Sequence, residues 1–337
     1  MAGQTFLTAN SYLGLGLEGS YSGTTWTGAR GTVAPTIKFI PITSPQVTPT
    51  QVFLRDEAFR GSPVSTYGHV AGVRHDEYDA KGYLFPDTFP ILMRGILGGT
   101  DTVTGSGTYT HTLKLLNDPA TSPNGSQPPS LSIQDFDGAN AFQMLATQMA
   151  DMTLTFGAEA AAEWTAKFIG NPYTSISAPS ASFSTNTFVP GWNITTSIGG
   201  SSINYVVDGE IKVDRKTAPI FTQGTQAPRT NFAGPVEVTG RLLMVVDSTS
   251  DLFSVGSSAY GLSDSPQSLV IALTEPTSTN TSTFTMSQVQ FHDPKRNRGK
   301  SYVEIEVQFT AEADATDATT GYSPLKFSQT NSVPTLY

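Results

Sequence analysis

The sequence predicts a mainly β protein: two related β-sandwich or barrel modules, each with a short flanking helix. Three observations carry that reading. Of 337 residues, 38% are hydrophobic and only 14% charged, with 31 Gly and 22 Pro, a turn-rich β composition. Runs whose side chains alternate in character with period 2, the strand signature, recur along the chain, while helical stripes are few. An ordered set of such runs also occurs twice. The length suits roughly two domains and a sizeable core.

Residues 1–35 are rich in Gly, Ser, Thr and Tyr with little periodicity and read as an N-terminal extended arm. Within them GLGLEG, Gly14 to Gly19, matches GxGxxG. No strand precedes it and no helix follows, so no dinucleotide site is expected. A first module spans 36–171. It opens with TIKFIPI, a short strand interrupted by Pro41, followed by ITSPQVTPT as a linker and VFLRDEAFRG as a strand of mixed polarity ending at Gly61. The next strand alternates Val73, His75, Glu77 and Asp79 against Arg74, Asp76, Tyr78 and Ala80. Neither set is apolar, so this strand is expected to line water, a subunit contact or a ligand. Phe89, Leu92, Met93 and Ile96 then fall on one helical stripe. Asp87 or Thr88 is positioned to cap that helix, Pro90 is tolerated in its first turn, and Gly98 closes it. A Thr-rich strand (Tyr109 to Leu116), a Pro/Gly/Ser loop, SLSIQDF and the long strand MADMTLTFGAEA complete the module.

Residues 172–202 shift to Ser, Thr, Pro and Gly, with Phe183 and Trp192 as the few anchors, and read as a linker. The second module, 203–313, sets Glu210, Lys212 and Asp214 opposite Ile211 and Val213 on one strand. Another strand, from Gly234, leads through a Ser/Thr/Asp cap cluster into a helix with Leu252, Phe253, Ala259 and Tyr260, ending at Gly261. SLVIAL, TFTMSQVQF and SYVEIEVQFTAEA follow. The FGAEA of 156–160 and the FTAEA of 309–313 then occupy the same place in each half, and two copies of one module is the economical explanation. HDPKRNRGK, 292–300, is the only basic cluster, and residues 314–337 read as a C-terminal arm. Two long arms are unusual for a self-contained domain and favour a subunit of an assembly.

Several function classes are excluded by content. The net charge of −9 argues against a general nucleic-acid clamp, which needs clustered Lys and Arg to displace counterions. Cysteine is absent, which removes disulfides, thiolate nucleophiles and Cys-ligated metals. The first residues carry no basic n-region or apolar h-region, and no run of 18 or more apolar residues exists, so no secretory signal or membrane span is expected. His75, Glu77 and Asp79 share a strand face, but i, i+2, i+4 spacing splays them about 7 Å apart, which favours a polar row over a metal site. None of His69, His75, His111 and His292 lies near a GxSxG elbow or an HExxH helix. Asp76, Glu77 and Asp79 are not placed across any cleft as glycosidic chemistry requires. Asn124 and Asn193 open formal glycosylation sequons that mean nothing without a signal. No catalytic residue, cofactor or metal is expected.

The layout is nonetheless familiar. An arm precedes a strand ending in a charged stretch and Gly (VFLRDEAFRG), then a strand into a PxxFPxL helix ending LGG. A β-pair is split by a loop with PPSLSIQDFDG, and a strand of the MTLTF type completes the set. Over about residues 50–170 this resembles the tail tube (major tail) proteins of long-tailed, non-contractile bacteriophages. The second half fits as a degenerate copy without the LGG ending and the PPSL turn. The resemblance implies a virion tail subunit of two tube modules whose strands join those of neighbours into a continuous inner β-barrel, stacked as rings into a hollow conduit for the genome. Three duplicated subunits would close a pseudo-sixfold ring, with a hexamer of single modules as the alternative. The implied partners are further copies, a tape measure protein, terminator or tip proteins, and double-stranded DNA that passes without specific binding. An acidic, wet strand face would keep that DNA mobile. Its candidate positions are Asp76, Glu77, Asp79, Thr153, Thr155, Glu210, Asp214, Glu304, Glu306 and Gln308. Lys295, Arg296, Arg298 and Lys300 are candidates for inter-ring or inter-subunit contact. The competing reading is a receptor- or glycan-binding β-sandwich at the tail tip.

Overall fold

A computed structural model describes residues 7–22, 25–27, 30–99, 101–117, 127–246 and 266–337. The architecture is mainly β, with one α-helix among the described residues. Its centre is an antiparallel main sheet. In spatial order the strands are Ser44–Asp56, Gly68–Tyr83, Glu163–Gly170 and Ala141–Gly157, then Val206–Asp214, Glu237–Val245, Glu304–Ala311 and Thr281–Asn297. Numbered by their order along each half, both sets of four run first, second, fourth, third. The ladder between Ala141–Gly157 and Val206–Asp214 joins the sets.

The two long strands, Ala141–Gly157 and Thr281–Asn297, each leave the main sheet partway and enter an outer sheet. The first outer sheet runs Lys38–Ile40, Tyr12–Leu17, Leu131–Phe136, Ala141–Gly157, Thr174–Ile176. The second runs Ser201–Ile203, Ile194–Ile198, Gln267–Thr274, Thr281–Asn297, Lys326–Asn331. Again the order repeats strand for strand. The Thr102–Ser106 and Thr108–Leu113 hairpin, from the first half, extends the second outer sheet through Lys326–Asn331. The switch between sheets coincides with register shifts at 144–151 and with Ala146 in the left-handed region (φ 53°). An extra residue there turns the strand without ending it.

The core fills the space between main and outer sheets. Alternation supplies it: Met152, Leu154 and Phe156, Ile211 and Val213, and Ile305, Val307 and Phe309 all point inward. The helix Phe89–Leu97 forms as the stripe predicts, with Gly98 at φ 78° donating its N–H to the Arg94 carbonyl. Thr88 sits at the N-cap without a side-chain bond, and Asp87 instead accepts from Ser184 Oγ at 2.7 Å. All of its residues are buried, so the helix is enclosed rather than half-exposed. Phe89 packs edge-on against Phe284 and Phe327 of the other half, with centroids 6.1 and 5.6 Å away. The equivalent helix expected around Leu252, Phe253, Ala259 and Tyr260 lies outside the described residues.

Other expectations change. ITSPQVTPT is no linker but the start of Ser44–Asp56; its prolines sit on an edge strand, where a missing N–H breaks no ladder. Part of the stretch read as an N-terminal arm, Tyr12–Leu17, is a central strand of the first outer sheet, with Leu13 and Leu15 fully buried. The buried Glu18 ties it in, accepting from the Gly31 and Ala146 N–H groups (both 2.7 Å) and from Ser130 Oγ. The stretch read as a C-terminal arm is equally integral. Lys326–Asn331 is a paired strand, and the Tyr337 N–H reaches Asp101, which also binds the buried His111 at 2.7 Å. Residues read as a linker contribute Ile194–Ile198 and Ser201–Ile203. The FGAEA and FTAEA segments are not equivalent: the first turns the corner after Ala141–Gly157, the second ends Glu304–Ala311. By strand order, the counterpart of Ala141–Gly157 is Thr281–Asn297.

Candidate assembly site: a polar face between two open edges

The main sheet has one apolar face against the core and one polar face directed away from it. On Gly68–Tyr83 the buried set is Asp76, Tyr78, Ala80 and Gly82, so the strand expected to lack a core face has one. His75, Glu77, Asp79 and Lys81 form the other face. Cross-strand registers align this polar face into rows. One runs Asp79, Lys167, Asp151, Asp214, Glu237. The next runs Lys81, Thr165, Thr153, Lys212, Thr239, Thr310, Gln290, and a third runs Glu163, Thr155, Glu210, Arg241, Gln308, His292. A fourth contains Asp208, Leu243, Glu306 and Lys295.

The structure therefore brings Glu77, Asp79, Thr153, Thr155, Glu210, Asp214, Glu306 and Gln308 onto one face. Glu304 has the same phase but is 2% exposed, paired with Lys300 at 2.8 Å. Asp76 is corrected: its side chain lies on the opposite face, fully buried, held by Arg74 at 3.1–3.2 Å and by the Tyr173 N–H at 2.8 Å. Asp151, Asp208, Lys167 and Arg241 also lie on the polar face and were missed, while Lys212 joins it with Glu210 and Asp214 as the alternation predicts. Asp151 stands two residues before Thr153, so phase alone would have found it.

Carboxylates outnumber cations here, yet many are paired. Lys167 contacts Glu77 and Lys81 contacts Glu163, both at 2.7 Å, while Arg241 spans Asp208 (2.8 Å) and Glu210 (3.8 Å). Such half-exposed pairs contribute about 0–1 kcal/mol each, so they orient side chains more than they stabilise the fold. Burial raises the Asp151 and Asp79 carboxyls above the usual range; Lys212 and Lys167 respectively oppose the rise, and Asp214 and Glu77 respectively add to it. The hydrogen bond to Glu77 holds the Lys167 ammonium up.

Both lateral margins of the sheet are unpaired among the described residues. Ser44–Asp56 pairs on one side only, and residues 290–297 have Glu304–Ala311 on one side and nothing on the other. Pro45 and Pro49 cannot donate, so their side of the backbone, and that of Val47 between them, faces the open margin. Two hairpins project from opposite ends. The hairpin with its tip at 56–68 extends beyond the Asp79 row and exposes Phe53, Leu54 and Val70 on its strands and Phe59 and Val64 at its tip. At the far end, Lys295 and Arg296 lie on the extended strand Thr281–Asn297, with Arg298 and Lys300 in its turn, all exposed. The basic cluster 292–300 is thus largely a hairpin. No group of three or more His, Asp or Glu among the described residues is arranged to hold a metal.

A sheet with a wet face and unfinished margins is that of a β protein whose sheet can be extended at both edges. The chain belongs to the phage tail tube protein family, whose model matches residues 8–311. It is therefore a component of the virion tail that self-assembles into the tail tube, and its family is structural rather than enzymatic. No curated protein matches the chain.

Proposed function

We propose that this chain is a duplicated tube subunit, three copies of which close a pseudo-sixfold ring whose bore is lined by the polar face of the main sheet. The repeated strand order carries this reading. Each half supplies four main-sheet strands, and the ladder joining Ala141–Gly157 to Val206–Asp214 is what the open margin at 290–297 would make with Ser44–Asp56 of the next copy. Closure removes edges that would otherwise pair indiscriminately. The two modules, near 36–171 and 203–313, gain further strands from the terminal stretches.

Rings stack into the conduit of a long, non-contractile tail. The basic hairpin of Lys295, Arg296, Arg298 and Lys300 faces the adjacent ring. The tape measure protein fills the tube during assembly, and terminator or tip proteins close its ends. Excess carboxylate along the bore repels phosphate, so the genome passes without adhering. Glu304 drops out of the lining as the partner of Lys300. Replacing Asp151 and Glu306 by Lys is expected to slow genome ejection several-fold while tubes still form. Normal ejection from tubes carrying both changes would remove the polar face from the bore.

A further inference from the structure

Among the described residues Arg215 is a buried cation whose side chain has no partner. It follows the last residue of Val206–Asp214, is 4% exposed, and leaves Nε and Nη2 with no hydrogen bond. Burial pushes its guanidinium down only to about 10, so it stays charged at neutral pH. A buried, unpaired charge is strongly unfavourable, and an incoming carboxylate would relieve that cost. Arg215 lines an open recess of about 510 Å³, walled by Leu116, Pro235, Val236, Ala311 and Pro324. The combination is an apolar socket with a cation in its wall.

The repeat of the fold indicates what fills it. In the first half, the corresponding end of the main sheet is covered by the connection 215–236 of the same chain. That segment accepts the Arg74 N–H at Gln226 O (2.8 Å) and donates from Thr217 Oγ1 to Met149 O (2.9 Å) and from Asn231 Nδ2 to Ala146 O (2.8 Å). Among the described residues no second connection covers the same end in the second half; only 312–317 reach it, through the Glu312 N–H to Gln288 O (2.8 Å) and the Ser287 N–H to Asp317 (2.7 Å). The counterpart of 215–236 is the 56–68 hairpin, and it points to the same end: Asp79 and Asp214 share a row, and the tip lies beyond it. In a closed ring that hairpin belongs to the next copy. Eleven residues at about 3.3 Å each separate Asp79 from Gly68, so the tip stands clear of the sheet end, long enough to fold across the few strand spacings of about 4.8 Å that lead to the recess. Its chemistry is complementary, since Phe59 is fully exposed and the adjacent carboxylate Glu57 is exposed, whereas Asp56 is already paired with Arg60.

We propose that the recess at Arg215 is the socket for a second copy of this chain, taking the Phe59 ring against its apolar wall and the Glu57 carboxylate on Arg215. The proposal rests on self-assembly of the chain but is tested apart from it. The chain has no cysteine, so Ala58→Cys, exposed beside Phe59, with Tyr322→Cys, at the rim of the recess, gives a clean intermolecular probe that keeps the Phe59 ring. Oxidised tubes should yield covalent dimers and trimers in denaturing gels. Tubes that form yet stay uncrosslinked would overturn the socket while leaving the tube reading intact; wild-type protein that never polymerises would sink both. As a second arm, Arg215→Met leaves the monomer folded and should raise the concentration for half-assembly at least tenfold. Assembly at the wild-type concentration would contradict the role given to Arg215.

Discussion

Ala141–Gly157 and Thr281–Asn297 hold the same position in the two halves, yet their outer sides differ. The first is laddered without interruption to Val206–Asp214 from Asp151 through Gly157. The second has no neighbour on the outer side of 290–297 among the described residues, and the strand proposed to join it, Ser44–Asp56, carries Pro45 and Pro49 on its free side. The internal seam is thus continuous, whereas the proposed seam between copies would be short of donors. Fewer ladder bonds make the second weaker and more selective, as befits an interface that must stay apart until copies meet in register. Its strength must come from packing beyond the ladder, which is what the hairpin and its socket supply.

The largest effect that separates the two regions should come from the core that locks the halves together. Phe89→Ala removes the ring shared with Phe284 and Phe327 and is expected to destabilise the monomer by about 3–5 kcal/mol in denaturant melts. A loss below about 1 kcal/mol would mean that the halves are held mainly by the internal seam. Next, Asp76→Ala strands the Arg74 guanidinium and the Tyr173 N–H, for an expected loss of about 2–4 kcal/mol, read by the same melts.

Val47→Pro should do the opposite. With the parity of Pro45 and Pro49, it removes no bond within the monomer, so the melting temperature should hold while polymerisation is abolished. Sedimentation and melting on one sample check both halves of that statement. The smallest effect concerns Lys38, which burial lowers to about 8 despite Asp87 and Asp101 nearby. Between that value and the unfolded value near 10.5 the unfolded chain binds more protons, so stability rises with pH across the interval. Lys38→Met should flatten that rise, and an unchanged slope between pH 8 and 10.5 would assign it elsewhere.

Much of the fold was legible because period-2 alternation is imposed by a half-buried sheet wherever it occurs. It failed at particular residues for physical reasons. Asp76 and Gly82 interrupt the apolar set on Gly68–Tyr83, hiding the phase that Tyr78 and Ala80 would have fixed. Gly14 and Gly16 disguise Tyr12–Leu17, although close approach of Ile37 and of the Thr36 carbonyl leaves no room for a side chain at either. Pro45 and Pro49 read as punctuation because proline normally ends strands, and only an unpaired margin tolerates them. The polar face was partly visible in Glu77, Asp79 and Glu210. Of its compensating cations Lys212 was visible beside Glu210 and Asp214, but Lys167 and Arg241 were not, because their partners Glu77 and Asp208 come from strands distant in sequence. Arg215 and its recess had no local signal at all.

An end-on electron microscopy reconstruction of the polymerised protein tests the account most directly. It should show three copies around a hollow centre, each contributing both sets of four strands, with 290–297 of one copy laddered to Ser44–Asp56 of the next. Six copies per ring, or a ring whose inner wall is the apolar rather than the polar face of the main sheet, would contradict it.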